Sequence, residues 1–347
     1  MKWVFLATLG LGMGAGWAQA PIVRRPPPPP AGAQAPQGAE VPVDGAAPQS
    51  DAEKTPAGKV PADKVPTIRV QTRLVNVAVN VVDAQGGPVG GLGREDFAIF
   101  EDGKAQKIAV FEKDSSTPLS IVLAIDASES VFGDERLERD AAKHFVNALL
   151  RPQDELGLMD FADTVREIVP FTNDKKRIER GLGEMQHGDA TALYDAVYLG
   201  CQRLAGTREE DGRRRVMVLI TDGVDTVKGT RYPQAVEQAQ RAGAMVYSII
   251  IVPVEADAGR NTGGEHALIQ LANDTGGKYF YVTQKSDLEP AFARVSDDLR
   301  TQYLLGYYAP PGSGDTSFRR IGVRMKDPAL RGKYRLRYRT GYYGDVR

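Results

Sequence analysis

Thiol and imidazole are scarce in this chain: one cysteine, Cys201, and three histidines, His144, His187 and His266, occur in 347 residues. A single cysteine cannot close an internal disulfide, so stability has to come from buried cores. Cys201 falls in a helical pattern with Leu199 and Leu204, which predicts a buried, inert thiol. The histidines are scattered and offer no ligand spacing for zinc. An excess of either charge is also lacking, because 44 basic residues stand against 45 acidic ones for a net charge of −1. That balance excludes a dedicated nucleic-acid binder, whose hold on phosphates needs a clustered excess of Lys and Arg. No Gly-x-Ser-x-Gly elbow and no phosphate-cradling glycine loop is present, so the usual marks of nucleophilic and nucleotide-using enzymes are missing.

The N-terminus has the form of an export signal. Lys2 supplies a small positive region, Trp3 to Trp17 is apolar or Gly apart from Thr8, and Ala18-Gln19-Ala20 has the small-x-small form of a cleavage site. Pro21 disfavours a cut after Ala20, and a cut after Ala18 with Gly16 at −3 is the alternative. Residues 1–20 are therefore expected to direct the chain to a secreted, periplasmic or cell-surface location. Membrane contact is expected only if this segment stays uncut, and the stretch is shorter than the roughly 20 residues of a comfortable span. Residues 21–66 follow as a Pro/Ala-rich segment that includes Pro26 to Pro30. Without a periodic apolar face they predict an extended or disordered spacer.

Order is expected from Thr67. In residues 67–116 the β-branched run Val70 to Val82 alternates as a half-buried strand does, and Gln85-Gly86-Gly87-Pro88 is a turn. Phe97 to Phe100 and Ile108 to Phe111 read as a hairpin about the Asp102-Gly103 turn. In residues 117–300, apolar strands at Leu119–Ile125, Leu156–Phe161, Val165–Val169, Val216–Ile220, Met245–Val252 and Tyr279–Val282 alternate with amphipathic helical patterns. Those patterns cover Glu135–Leu150, Lys175–Met185, Ala192–Leu204, Gln234–Ala242, Glu265–Ala272 and Leu288–Leu299. Such alternation predicts an α/β fold with an open, mostly parallel sheet covered by helices on both faces. In residues 301–347 strands return at Tyr303–Tyr308, Ile321–Met325 and Tyr334–Tyr338. The last of these alternates Tyr334, Leu336 and Tyr338 with Arg335, Arg337 and Arg339, and the basic face reads as solvated. Each end has too few strands to close a core, so the two ends are expected to pair into one β-sandwich interrupted by the α/β insertion, with two separate small β modules as the competing picture.

Strand Ile121 to Ile125 ends directly in Asp126-Ala127-Ser128-Glu129-Ser130. Ligands of open α/β sheets bind beyond the carboxyl ends of strands, where an Asp and two hydroxyls can converge on one ion. Carboxylate and hydroxyl oxygens are hard donors suited to Mg²⁺, Mn²⁺ or Ca²⁺. The same pentapeptide could equally cap the helix that follows. Two further elements favour an ion: the run Gly188-Asp189-Ala190-Thr191 at a loop-to-helix junction, and Thr221-Asp222-Gly223 at the end of another apolar strand.

With these three elements in this order, residues 117–300 resemble the von Willebrand factor A family with its metal-ion-dependent adhesion site. The resemblance implies that Asp126, Ser128, Ser130, Thr191 and Asp222 hold a divalent cation, Mg²⁺ foremost, with Mn²⁺ or Ca²⁺ as alternatives. It also implies one coordination position open to a carboxylate from a partner protein. Asp225 is read as a group orienting waters, Asp195 as a helix first-turn carboxylate and Glu129 as exposed. Paired glycines often precede the Thr in this family, whereas here Asp189-Ala190 stand there, a stiffer loop in which Asp189 adds charge near the ion or points away. More loosely, Glu95 to Ile108, Tyr303 to Tyr307 and Arg339 to Tyr343 resemble secreted proteins of this kind common in Acidobacteria. The function implied is an exported, metal-dependent binding or adhesion module with no catalytic residues. The alternatives are a cell-envelope scaffold whose ion is structural and, behind it, a Mg²⁺-dependent hydrolase. A hydrolase of that type wants a second carboxylate two residues after Asp126, where Ser128 stands.

Overall fold

The computed structural model describes residues 73–113, 117–128, 135–207, 212–252, 262–310 and 316–344. The expected export signal, the spacer, Glu129 and Ser130 lie outside them. Residues Thr67–Arg347 form one compact unit.

Alternating burial shapes the first strand, β1 (Leu74–Val82), which turns Val75, Val77, Val79 and Val81 to one side. Three short strands follow, β2 (Phe97–Glu101), β3 (Lys104–Gln106) and β4 (Val110–Glu112). The hairpin differs from the one expected. The Asp102-Gly103 turn joins β2 to β3, with Glu101 opposite Lys104, and β4 leaves for another sheet. The reason lies in Ile108, which is buried in the core between the sheets and carries the chain across.

The middle of the chain forms the strands β5 (Leu119–Asp126), β6 (Glu155–Phe161), β7 (Val165–Thr172), β8 (Arg214–Thr221), β9 (Met245–Ile251) and β10 (Tyr279–Val282). Interleaved with them are α1 (Glu135–Leu149), α2 (Lys175–Gly181), α3 (Leu193–Ala205), α4 (Tyr232–Ala242), α5 (Thr262–Thr275) and α6 (Leu288–Arg300). The strand order is β10-β9-β8-β5-β6-β7, parallel except for β7, which returns antiparallel on β6. Strand β5 is buried along its whole length, as a strand covered on both faces must be. Its Ile121, Leu123 and Ile125 face a core with α1 and α6, while Val122 and Ala124 face a second core with α3, α4 and α5. Cys201 lies in that second core beside Met217, and burial pushes its thiol up to about 12, so it is inert as expected.

The chain ends with β11 (Tyr303–Tyr308), β12 (Phe318–Met325), the short helix α7 (Pro328–Lys333), β13 (Arg335–Arg337) and β14 (Gly341–Tyr343). Two four-stranded sheets result, β13-β1-β11-β4 and β14-β12-β2-β3, and each mixes strands from before and after the α/β part. One hydrophobic core unites them, with Val77 and Leu305 from one sheet against Phe97, Ile99 and Val323 from the other. The sheets thus hold eight strands where about six were expected. The additional pieces, β3 and β14, are each three residues long and carry little periodic signal.

The expected solvated basic stripe is corrected. Arg335 is exposed, but Arg337 donates to both oxygens of Asp298 at 2.8 and 2.9 Å, and Arg339 donates to the Asn76 carbonyl at 2.6 Å. Asp298, on α6, also accepts from Asn80 of β1 at 3.0 Å and from the Tyr247 hydroxyl of β9 at 3.1 Å. Gln302 donates to that same hydroxyl at 2.9 Å and accepts from Arg214. A buried carboxylate therefore joins the sandwich to the α/β sheet, because a charge withdrawn from water has to be paired and hydrogen-bonded. Asp298→Ala should lower stability by roughly 3 kcal/mol in urea unfolding, since it strands Asn80 and Tyr247 and unpairs Arg337. A loss below about 1 kcal/mol would contradict this role.

Candidate metal centre

Asp126 is the last residue of β5 and is fully buried. Its Oδ1 accepts from the Ser128 amide at 3.0 Å and the Ser128 hydroxyl at 2.6 Å. Its Oδ2 accepts from the Thr221 hydroxyl at 2.6 Å. Parallel pairing of β5 with β8 sets Ile125 beside Ile220, which brings the next residues, Asp126 and Thr221, together. Beyond the strand, the Ala127 amide donates to the Phe161 carbonyl at 2.8 Å, and Ser128 bridges in parallel to Gly188. Gly188 makes this approach because a side chain there would meet Asp163 at 2.6 Å and Ala162 at 2.9 Å. The loop bearing Thr191 is thereby held against the end of β5.

Thr191 is buried just before α3. Its amide donates to the Thr226 hydroxyl at 2.8 Å, and its carbonyl accepts from the amides of Thr226 at 3.0 Å and Val227 at 3.3 Å. Asp222 follows β8 directly, is 7% exposed and accepts from the Val224 amide at 3.1 Å. Gly223 turns the chain sharply at φ +85°, where a side chain would be strained and would sit 3.1 Å from Gly264 and Leu268 of α5. Thr221 accepts from the Gly223 amide at 3.0 Å while donating to Asp126, so one hydroxyl serves both the turn and the carboxylate.

Burial pushes the Asp126 carboxyl up from its ordinary 3.8 to about 6, against the lowering effect of the Ser128 and Thr221 hydrogen bonds and with a smaller upward push from the Asp222 charge. That electrostatic effect of Asp222 means that the two carboxylates share one neighbourhood. Among the described residues no group of three or more His, Cys, Asp or Glu gathers as a metal cluster, so an ion here has to draw on hydroxyls as well. Two carboxylates with Ser and Thr hydroxyls are a hard oxygen set, which fits a divalent cation of the Mg²⁺ or Ca²⁺ type and would relieve the cost of the buried charge.

Of the five residues singled out from sequence, Asp126, Ser128, Thr191 and Asp222 are described, and the hydrogen bonds above link the segments that carry them. Ser130 lies outside the described residues, as does Glu129. Asp225 accepts from the Tyr194 amide at 3.1 Å and so caps the start of α3. Asp195 stands in the first turn of α3, as expected, and also accepts from the Thr230 amide at 2.8 Å. Asp189 is exposed and the Ala190 amide donates to Asp163 at 2.9 Å, so this loop is fastened to the turn between β6 and β7. Sequence reasoning gave Thr221 no role beyond its place in the Thr221-Asp222-Gly223 run and passed over Thr226 altogether. The first could have been found from strand register, since it stands beside Asp126; the second carries no motif.

Residues 120–294 match the model of the von Willebrand factor type A domain. The chain belongs to that family. Over 218 residues it is 22% identical to the human calcium-activated chloride channel regulator 4, covering 60% of this chain and 21% of that protein. It is 24% identical over 233 residues to a UPF0353 protein of Mycobacterium leprae, covering 58% and 65%. The chain thus spans less than two thirds of the length of either relative. A von Willebrand factor type A structure from Catenulispora acidiphila is 12% identical with a TM-score of 0.45, covering 72% of this chain and 74% of that one. Among the described residues no helix is long and apolar enough to cross a membrane.

The raised Asp126 carboxyl sets a pH dependence for the protein held in chelator. The folded state binds a proton at about 6 and the unfolded state at about 3.8, so stability from this group falls as pH rises from about 4 to about 6 and is level above. Urea unfolding of wild type and Asp126→Asn across pH 4–7 should show wild type losing ground to the variant within that window. A flat difference would contradict the assignment.

Proposed function

We propose that this protein is an exported binding module that captures an acidic group of a partner protein through a divalent cation, Mg²⁺ foremost. The cation is held by Asp126, Ser128, Ser130, Thr191 and Asp222. The single observation that carries the reading is the convergence of a fully buried carboxylate with hydroxyls from separate segments at the carboxyl end of a parallel sheet. A buried carboxylate raised to about 6 is costly when ionised, and a cation offsets that cost. Two formal negative charges from Asp126 and Asp222 only match the charge of a dication, which leaves the ion able to attract a third carboxylate from outside. The export signal at residues 1–20 and the spacer at 21–66 suit a module that works away from an envelope surface. No residue is assigned a catalytic role.

Calorimetric titration of Mg²⁺ or Mn²⁺ into the chelator-stripped full chain should give one site, absent from an Asp126→Ala, Asp222→Ala double variant. Equal binding by that variant, or none by wild type, would overturn the metal assignment. Pull-down from envelope extract then separates capture from a structural ion. Capture requires that chelator release the partner while the protein stays folded, whereas a structural ion lowers thermal stability under chelator and leaves the partner bound.

A further inference from the structure

Segment 222–230 reaches across to the start of α3 at several points. Thr191 is held through both peptide groups that flank its Cα, its amide donating to the Thr226 hydroxyl at 2.8 Å and its carbonyl accepting from the Thr226 and Val227 amides at 3.0 and 3.3 Å. One turn on, the Tyr194 amide donates to Asp225 at 3.1 Å, and Asp195 accepts from the Thr230 amide at 2.8 Å. The two segments that carry Asp222 and Thr191 are thus fastened to each other by their own hydrogen bonds. Only the Thr226 hydroxyl in this set is a side chain accepting from the backbone of Thr191 itself.

We infer that Thr226 is a positioning residue for the ion: it sets the Thr191 hydroxyl at a fixed place relative to Asp222, four residues before it in the chain. This rests on the reading that Thr191 and Asp222 share one cation. The physical ground is that a hydroxyl ligand binds weakly unless its place is set in advance, because the entropy of ordering it is otherwise lost at the moment of binding. The clasp orders Thr191 through its main chain and leaves the Thr191 side chain free to face the ion. Asp126 needs no such device, since Ser128 and Thr221 hold its two oxygens directly. Thr226 is itself exposed, so replacing it disturbs no core.

The test compares wild type, Thr226→Val and Thr226→Ser as full chains, with Mg²⁺ and Mn²⁺ titrations and hydrogen exchange at the Thr191 amide in chelator. Valine keeps the shape and the two backbone hydrogen bonds but removes the acceptor. It should weaken ion binding about 10-fold and speed exchange of the Thr191 amide, while serine should restore both. A purely structural residue would not give rescue by the hydroxyl alone. Ion binding by Thr226→Val at wild-type strength would overturn the inference, as would a serine variant as weak as the valine one. If wild type binds no ion, the metal reading fails; unchanged exchange at Thr191 in Thr226→Val would show separately that the clasp itself is absent.

Discussion

A carboxylate at the end of a strand buried on both faces is the constraint on which the rest turns. Asp126 is placed there because β5 runs through the centre of a six-stranded sheet, and the chain has to supply polar partners for both oxygens. Ser128 answers one and Thr221 the other. Those two contacts decide how the chain leaves β5 and how it leaves β8. They also bring the second carboxylate, Asp222, close enough for its charge to raise Asp126 further. The geometry of the site is therefore a consequence of satisfying one buried group, and a cation is the natural complement to what remains.

A second buried carboxylate does the corresponding work away from the site. Asp298 gathers Asn80, Tyr247 and Arg337, which belong to a sandwich strand, a central α/β strand and the penultimate strand of the chain. In the sandwich, Glu101 plays a similar part, accepting from Tyr307 at 2.7 Å, Tyr342 at 2.8 Å and Arg319 at 2.9 Å. Its negative charge adds to burial in holding both tyrosine hydroxyls well above their ordinary range. Each of these networks includes links between residues more than two hundred positions apart, Asn80 with Asp298 and Glu101 with Tyr307, Arg319 and Tyr342, so they fix the path by which the chain returns to close the sandwich.

Much of this was legible from sequence where periodicity carried the signal. Strand β5 announces itself through the apolar run Leu119 to Ile125, and the place of Ser128 beside Asp126 through the Asp126-x-Ser128 spacing that follows it; Ser130 lies outside the described residues. The pairing of the two chain ends followed from a shortage of strands in each. What failed to show were contacts made by short or irregular pieces. Strand β3 has three residues and takes its register from a turn, so Ile108 to Phe111 attracted the assignment that belonged to Lys104 to Gln106. Arg337 and Arg339 looked solvated because alternation cannot say whether a basic face meets water or a buried acid. Thr226 carries no local pattern at all; its role exists only once Thr191, thirty-five positions earlier, is folded against it.

In the proposed function, oxygens from separate segments, Asp126 at the end of β5 and Ser128 just after it, Thr191 before α3 and Asp222 after β8, share one divalent cation. Anomalous X-ray scattering from crystals grown with Mn²⁺ measures this directly. A single strong peak among those four side chains is the expected result, with Thr191 and Asp222 both within coordinating distance of it. A peak elsewhere, or none at this place with the ion in excess, would contradict the claim.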